Sequence, residues 1–234
     1  MKKSILINKV YRKSTIENTK RKIIALGSDN KININTFLNV KTVLLVLTFF
    51  TLLLFSHQGY LMAPVFSFIV YYLYDYIILD LKIKKRSKLL EKEAVFYFKV
   101  LALTIEHEKN LKTCFEITSK AIDSNISREI QISLEELKYG KSLIEALNDT
   151  KKRIPSKEVN NVLFNIIESN KYGNSIVDLL NNQIEYLTDK RILSIKAQIN
   201  RLPTKISIIS VIFFIPLILL LILGPVLIRY FINF

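Results

Sequence analysis

The chain has 234 residues and a formal charge of +14, and it is half hydrophobic, with one cysteine and two histidines. A single cysteine excludes an internal disulfide, and Cys114, His57 and His107 do not make a metal-spaced set. Ile206–Ile228, 23 residues without a charge, excludes a wholly water-soluble protein, because about 20 apolar helical residues cross a bilayer.

Met1–Lys41 carries ten Lys/Arg against only Glu17 and Asp29. It lacks a small-residue cleavage site, so it reads as a retained segment and not a signal peptide. Residues 1–37 are expected to be a basic cytosolic stretch. Leu38–Ser56 and Tyr60–Leu79 are each long and apolar enough to cross. His57-Gln58-Gly59 is too short to hold a domain, so residues 38–80 predict a transmembrane hairpin with Gly59 easing the turn. Asp75 lies within Tyr71-Tyr-Leu-Tyr-Asp-Tyr76, an aromatic belt near the inner interface. An intramembrane carboxylate is a candidate for coupling, and at this depth it can snorkel to the interface or pair with Lys82 or Lys205.

Lys82, Lys84, Lys85, Arg86 and Lys88 follow at once. Lys and Arg accumulate on the cytoplasmic side of crossing helices. The N-terminus and residues 81–205 are therefore expected inside, 57–59 outside, and Arg229–Phe234 outside as a short outer tail. Topology and attraction to anionic lipid then account for most of the positive charge, and no nucleic-acid partner is needed.

Residues 81–205 hold two glycines, Gly140 and Gly173, and apolar positions at helical spacing. Helices are predicted at about 87–107, 111–122, 127–138, 142–150, 157–170 and 175–200, the last running towards the membrane and interrupted at Pro203. Ser142-Leu-Ile-Glu145 is a capping-box pattern, Ser175-Ile-Val-Asp178 a weaker one, and Ser156 can cap the helix after Pro155. Cys114, between Leu111 and Phe115, reads as a small core residue. No run alternates with period two. The fold class is all-α: an integral membrane protein with about three transmembrane helices and a cytosolic antiparallel helical bundle. Residues 206–228 form the third crossing. Pro216 and Pro225 kink that helix, and membrane helices accept this where neighbours satisfy the freed carbonyls. With Asp75, they are candidates for coupling within the membrane.

Lys138-Tyr-Gly-Lys-Ser-Leu-Ile-Glu-Ala-Leu147 lines up with Lys171-Tyr-Gly-Asn-Ser-Ile-Val-Asp-Leu-Leu180, so one helix–Gly–helix corner is used twice. Lys109-Asn-Leu-Lys-Thr-Cys-Phe115 is a weaker relative. If Gly140 or Gly173 has positive φ, a valine there damages assembly. Glu168 closes the helix before the second corner, where Lys171 or a partner protein is its expected contact.

No phosphate-cradling loop, nucleophile elbow or metal set is present, so no catalytic residue, cofactor or enzyme activity is assigned. His57 reads as a loop residue. Glu106-His-Glu-Lys-Asn-Leu-Lys-Thr113 leaves one alternative, a membrane-anchored signalling protein of histidine-kinase type, but no nucleotide-binding glycine boxes follow. Asp75 and the kinked third crossing motivate another, a transport permease subunit.

Leu101-Ala-Leu-Thr-Ile-Glu, the Gly140–Leu147 corner and Ile167-Glu-Ser-Asn…Gly173-Asn-Ser-Ile resemble the F-type domain of type II secretion and type IV pilus systems. Leu202-Pro-Thr-Lys-Ile-Ser…Ile215-Pro-Leu…Leu223-Gly-Pro225 is similar to the ending of the tight-adherence (Tad) pilus branch, particularly its C-type member. Lys22-Ile-Ile-Ala-Leu-Gly27 looks like that branch too. The chain departs from the family at Glu108-Lys109-Asn110, where a Gly is often found. The resemblance implies a non-enzymatic platform in the cytoplasmic membrane. It implies a hexameric secretion ATPase, pilin subunits, and a related platform protein or a second copy as partners. Glu168 and Gly173 match the family's Glu…Gly pattern. With Gly140, Lys138 and Lys171 they are the expected motor contacts.

Overall fold

The computed structural model describes residues 11–28, 30, 32–55, 59–172 and 175–232. They are helical with no strand among them. Two compact units are present, one up to Leu187 and one from Thr188 onward.

The first unit begins with α1, Lys13–Ile24, within the segment expected only to be basic. Its apolar positions Ile16 and Ile23, with Tyr11 and Leu26, pack on Phe37, Leu38 and Leu79 at the foot of the membrane hairpin. The hairpin is α2, Ile34–Phe55, against α3, Gly59–Asp75. Gly59 is the first residue of α3, and residues 56–58, which would complete the expected turn, lie outside the described residues. Small side chains let the two helices approach. Ala63 and Ser67 are buried, and the Ser67 hydroxyl donates to the Leu45 carbonyl oxygen at 3.1 Å. Interhelical hydroxyl bonds of this kind hold membrane helices together where no hydrophobic force acts between them.

A π-helical turn, Tyr76–Asp80, joins α3 directly to α4, Leu81–His107. Backbone angles stay helical through the junction, with Asp75 at φ −62°, ψ −44° and Leu81 at φ −65°, ψ −42°. The second membrane helix and the first bundle helix are therefore one rod, about 70 Å long at 1.5 Å per residue.

Four shorter helices and the start of a fifth wrap the far part of this rod. They are α5, Leu111–Ala121; α6, Asn125–Lys138; α7, Leu143–Arg153; α8, Lys157–Tyr172; and α9, Ile176–Asn200. These match the six predicted helices to within a few residues except at the start of α4, which continues the membrane helix without a break. The core joins Tyr97, Phe98 and Leu101 of α4 to Phe115, Ile126, Ile130, Leu163, Ile166 and Leu180. Burying each such side chain stabilises the fold by about 1.5–3 kcal/mol. Inside, the Tyr97 hydroxyl meets Ser119 at 2.9 Å, and burial pushes that phenol well above its usual range. Cys114 is buried, its thiol 3.3 Å from the Glu108 carbonyl oxygen and pushed up by burial, which suits a packing residue.

The second unit holds the end of α9 and α10, Leu202–Ile232, which contains Pro203, Pro216 and Pro225. Side chains 191–209 are all exposed, as are nearly all those from Ser210 to Leu223. Three helical stretches, Ile34–Leu54, Ala63–His107 and Ile176–Pro225, contain windows long and apolar enough to cross a membrane.

Candidate functional site

Charge is buried where α1, α4, α6 and α7 meet. Ile126, Ile130 and Ser133 face the interior from α6, and Glu129 shares that stripe with 1% of its surface exposed. A carboxylate there needs cations and hydrogen-bond donors. Arg86, in the second turn of α4, donates to it at 2.6 Å, and Arg153, the last residue of α7, donates at 2.9 Å. The Ser28 backbone N–H donates at 3.2 Å. The other Arg86 nitrogen donates to the carbonyl oxygens of Ala25 at 2.8 Å and Arg153 at 2.7 Å. Those carbonyls end α1 and α7, so the guanidinium sits at the negative ends of two helices. Arg153 is held further by Ser133 at 2.7 Å, Thr150 at 3.2 Å and Glu136 at 3.3 Å. Ser133 and Thr150 also hydrogen-bond each other.

Gly27 completes the joint. Its φ is +93°, and a β-carbon there would lie 2.4 Å from the Arg86 Cζ atom. Both the turn after α1 and the approach of the guanidinium require glycine. The N-terminal segment is thus fastened to the bundle at Ala25–Ser28 and to the hairpin foot through α1.

A second ion pair lies at that foot. Lys41 of α2, 2% exposed, donates to Asp75 of α3 at 2.6 Å. Its ammonium also lies 3.4 Å from the centre of the Tyr71 ring. The candidate partner Lys82 does not pair with Asp75. Residues 41 and 75 face each other across the hairpin, whereas Lys82 lies beyond the π turn. Pairing across a helix interface is how a membrane tolerates an ionisable group. Asp80, just past Asp75, pairs with Lys22 of α1 at 2.6 Å.

The corner residues behave differently. Gly140 has φ +89° with open space around the position of a β-carbon. Ser142 and Glu145 form the capping box, and the Ser142 backbone N–H holds the Glu145 carboxyl below its usual range. Lys152 and Lys141 donate to Asp149 and bring its pKa down to about 2. Lys138 is exposed at the end of α6, and Glu168 is half-buried on α8. Glu168 and Lys171 form no ion pair. Lys171 instead lies 5.2 Å from the centre of the Tyr172 ring. Gly173 lies outside the described residues. Pro216 and Pro225 are both exposed on α10, where Pro216 and Gly224 border a shallow apolar groove. No hydrogen bond joins Lys138, Glu168 and Lys171 into one site. Ser142→Ala is expected to cost about 1 kcal/mol through loss of the cap. The midpoint of thermal loss of helicity checks this.

A family model described as type II secretion system (T2SS), protein F, matches residues 97–224, more than half of the chain. The chain belongs to this family. Comparison with curated proteins and comparison with solved structures each returned no match. In this F-family chain the match runs from Tyr97 in α4 to Gly224 in α10. It includes Glu129 and Arg153, while Arg86, Gly27 and the hairpin precede it. Family membership and three apolar helices make the F-family chain a membrane protein.

Among the described residues no group of His, Cys, Asp and Glu is placed to hold a metal ion. The network at Glu129 is absent from the expected site residues. Its signal was a carboxylate on the apolar face of a helix, three residues after Ile126 and four before Ser133. Arg86 was hidden within a basic run that topology already explained.

Proposed function

We propose that this chain is a platform protein of a type IV (Tad-like) pilus or type II secretion machine in the cytoplasmic membrane, of the C-type Tad branch. Its bundle faces a cytosolic secretion ATPase, and its membrane helices act on pilin subunits during filament assembly. The role is mechanical and non-enzymatic, with a related platform protein or a second copy as a further partner.

The observation that carries this reading is the junction of an F-family bundle to a membrane hairpin without a flexible link. The rod of α3, π turn and α4 is continuous, and α1 ties its foot to the bundle through Arg86 and Glu129. Force applied to the bundle by a motor would reach the hairpin through this joint. The tyrosine belt and the Lys41–Asp75 pair would then set the position at which the hairpin engages a subunit.

Co-purification of the full chain with the secretion ATPase of its host tests the proposal. Glu168→Lys is expected to reduce the amount of ATPase recovered several-fold while helicity and melting stay unchanged. Recovery equal to that of the unaltered chain would remove Glu168 from the interface. Deletion that leaves surface filaments and secretion untouched would overturn the proposal as a whole.

A further inference from the structure

A cavity of about 280 Å³ opens beside the Glu129 network. Lys82, Lys85, Arg86 and Leu89 line it from α4, Arg128 from α6, and Leu26 from the turn after α1. On α4 the spacing 82, 85, 86, 89 puts four lining residues on one helix face. The lining is strongly cationic: Glu129 is its one carboxylate, and Arg86 and Arg153 already hold it. Lys82 and Lys85 are exposed and have no carboxylate partner among the described residues.

The depth of this cavity is informative. The apolar run of the hairpin ends at Leu79. Lys82 and Arg86 follow it by about 5 and 10 Å of helix rise. The headgroup layer on each side of a hydrocarbon core is about 5–8 Å thick. Lys82 therefore lies at headgroup depth if α3 crosses the bilayer, and Lys85, about 9 Å past Leu79, reaches back to that depth through its flexible side chain. The volume is below the ~300–1,000 Å³ of pockets that enclose drug-sized ligands, which suits a phosphate with its glycerol better than a nucleotide with its base.

We propose that this cavity binds the phosphate of an anionic membrane lipid, with Lys82 and Lys85 as its main contacts and Arg128 at its rim. A bound lipid would bridge α4 and α6 beside the Ala25–Ser28 joint and so tie that joint to the leaflet. The site depends on the crossing of α3 and not on the identity of the motor partner.

The test uses the full chain in nanodiscs that contain phosphatidylglycerol and phosphatidylcholine, with the lipid retained after detergent extraction read by native mass spectrometry. Phosphatidylglycerol is expected to be enriched. Lys82→Gln with Lys85→Gln is expected to lower that enrichment roughly thirty-fold, and each single change roughly five-fold. The single variants give the readout if the double variant does not fold. Lys84→Gln with Lys88→Gln removes the same charge at a similar depth from another face of α4, outside the cavity, and is expected to change little. An equal loss in both double variants would mean general attraction to the leaflet and would overturn the site. Soluble glycerol 3-phosphate or inorganic phosphate is a separate arm. Binding of either one that depends on Lys82 and Lys85, without enrichment of phosphatidylglycerol, would overturn the lipid as the source of the phosphate.

Discussion

Glu129→Ala is expected to destabilise the bundle by roughly 3–5 kcal/mol. The carboxylate accepts from Arg86, Arg153 and the Ser28 backbone, and it is 1% exposed. Its removal leaves two guanidinium groups, 14% and 16% exposed, facing each other without the charge that separates them. Arg153 keeps Glu136, so Arg86 is the more exposed to loss. Replacement of all three charged groups by apolar residues of similar size, Arg86→Met, Glu129→Leu and Arg153→Met, is expected to recover much of the stability, because burying a complete ion pair contributes little net energy. Thermal melting of the detergent-solubilised chain reads both outcomes. A Glu129→Ala variant within about 1 kcal/mol of the original would mean that water reaches this site and solvates the arginines.

The second large effect contrasts two glycines. Gly27 and Gly140 have nearly equal positive φ, +93° and +89°. Alanine at either position incurs a backbone strain of about 1–2 kcal/mol. At Gly140 nothing lies within 4 Å of the added atom, so the strain is the whole cost. At Gly27 the added atom meets the Arg86 guanidinium at 2.4 Å. That guanidinium cannot swing away without breaking its bonds to Ala25, Arg153 and Glu129. Gly27→Ala is therefore expected to cost roughly 2–3 kcal/mol more than Gly140→Ala, the worth of one or two charge-assisted hydrogen bonds. It should also free Ala25–Ser28 from the bundle. Limited proteolysis near these residues is expected to speed up in Gly27→Ala and to stay unchanged in Gly140→Ala. Equal melting and equal cleavage in the two variants would mean that the N-terminal segment is not fastened through Arg86.

The helical bundle was legible in the sequence because its signals are local. Apolar stripes at i, i+3 and i+4, the Ser142–Glu145 box and the glycine at Gly140 each act within one or two turns. The structure places the helices and the cap where those signals fall. Two features were not legible, each for its own reason. The continuity of α3 with α4 depends on a π turn, and the Tyr76–Asp80 sequence carries no proline, glycine or cap to announce a change of helix type. The role of α1 depends on partners far along the chain: Ile16 and Ile23 read as scattered apolar residues until the hairpin foot supplies Leu38 and Leu79. Asp75 stands out in the sequence as an ionisable group in an apolar run. Its partner was missed because Lys41 looked like the last residue of the basic segment, whereas in the fold it is a buried residue of α2. Lys138, Glu168 and Lys171 came from a repeated sequence, and repetition of a corner fixes backbone geometry without bringing those side chains together.

The proposed coupling requires the bundle to lie in the cytosol, and cysteine labelling tests this most directly. Tyr139, 89% exposed at the first corner, offers an accessible position, while the native Cys114 is buried. In a Cys114→Ser background, Tyr139→Cys is expected to stay unlabelled by a membrane-impermeant maleimide added to intact spheroplasts, and to label fully once the membrane is permeabilised. Labelling in intact spheroplasts would place the bundle on the outer side, out of reach of any cytosolic motor, and would contradict the account.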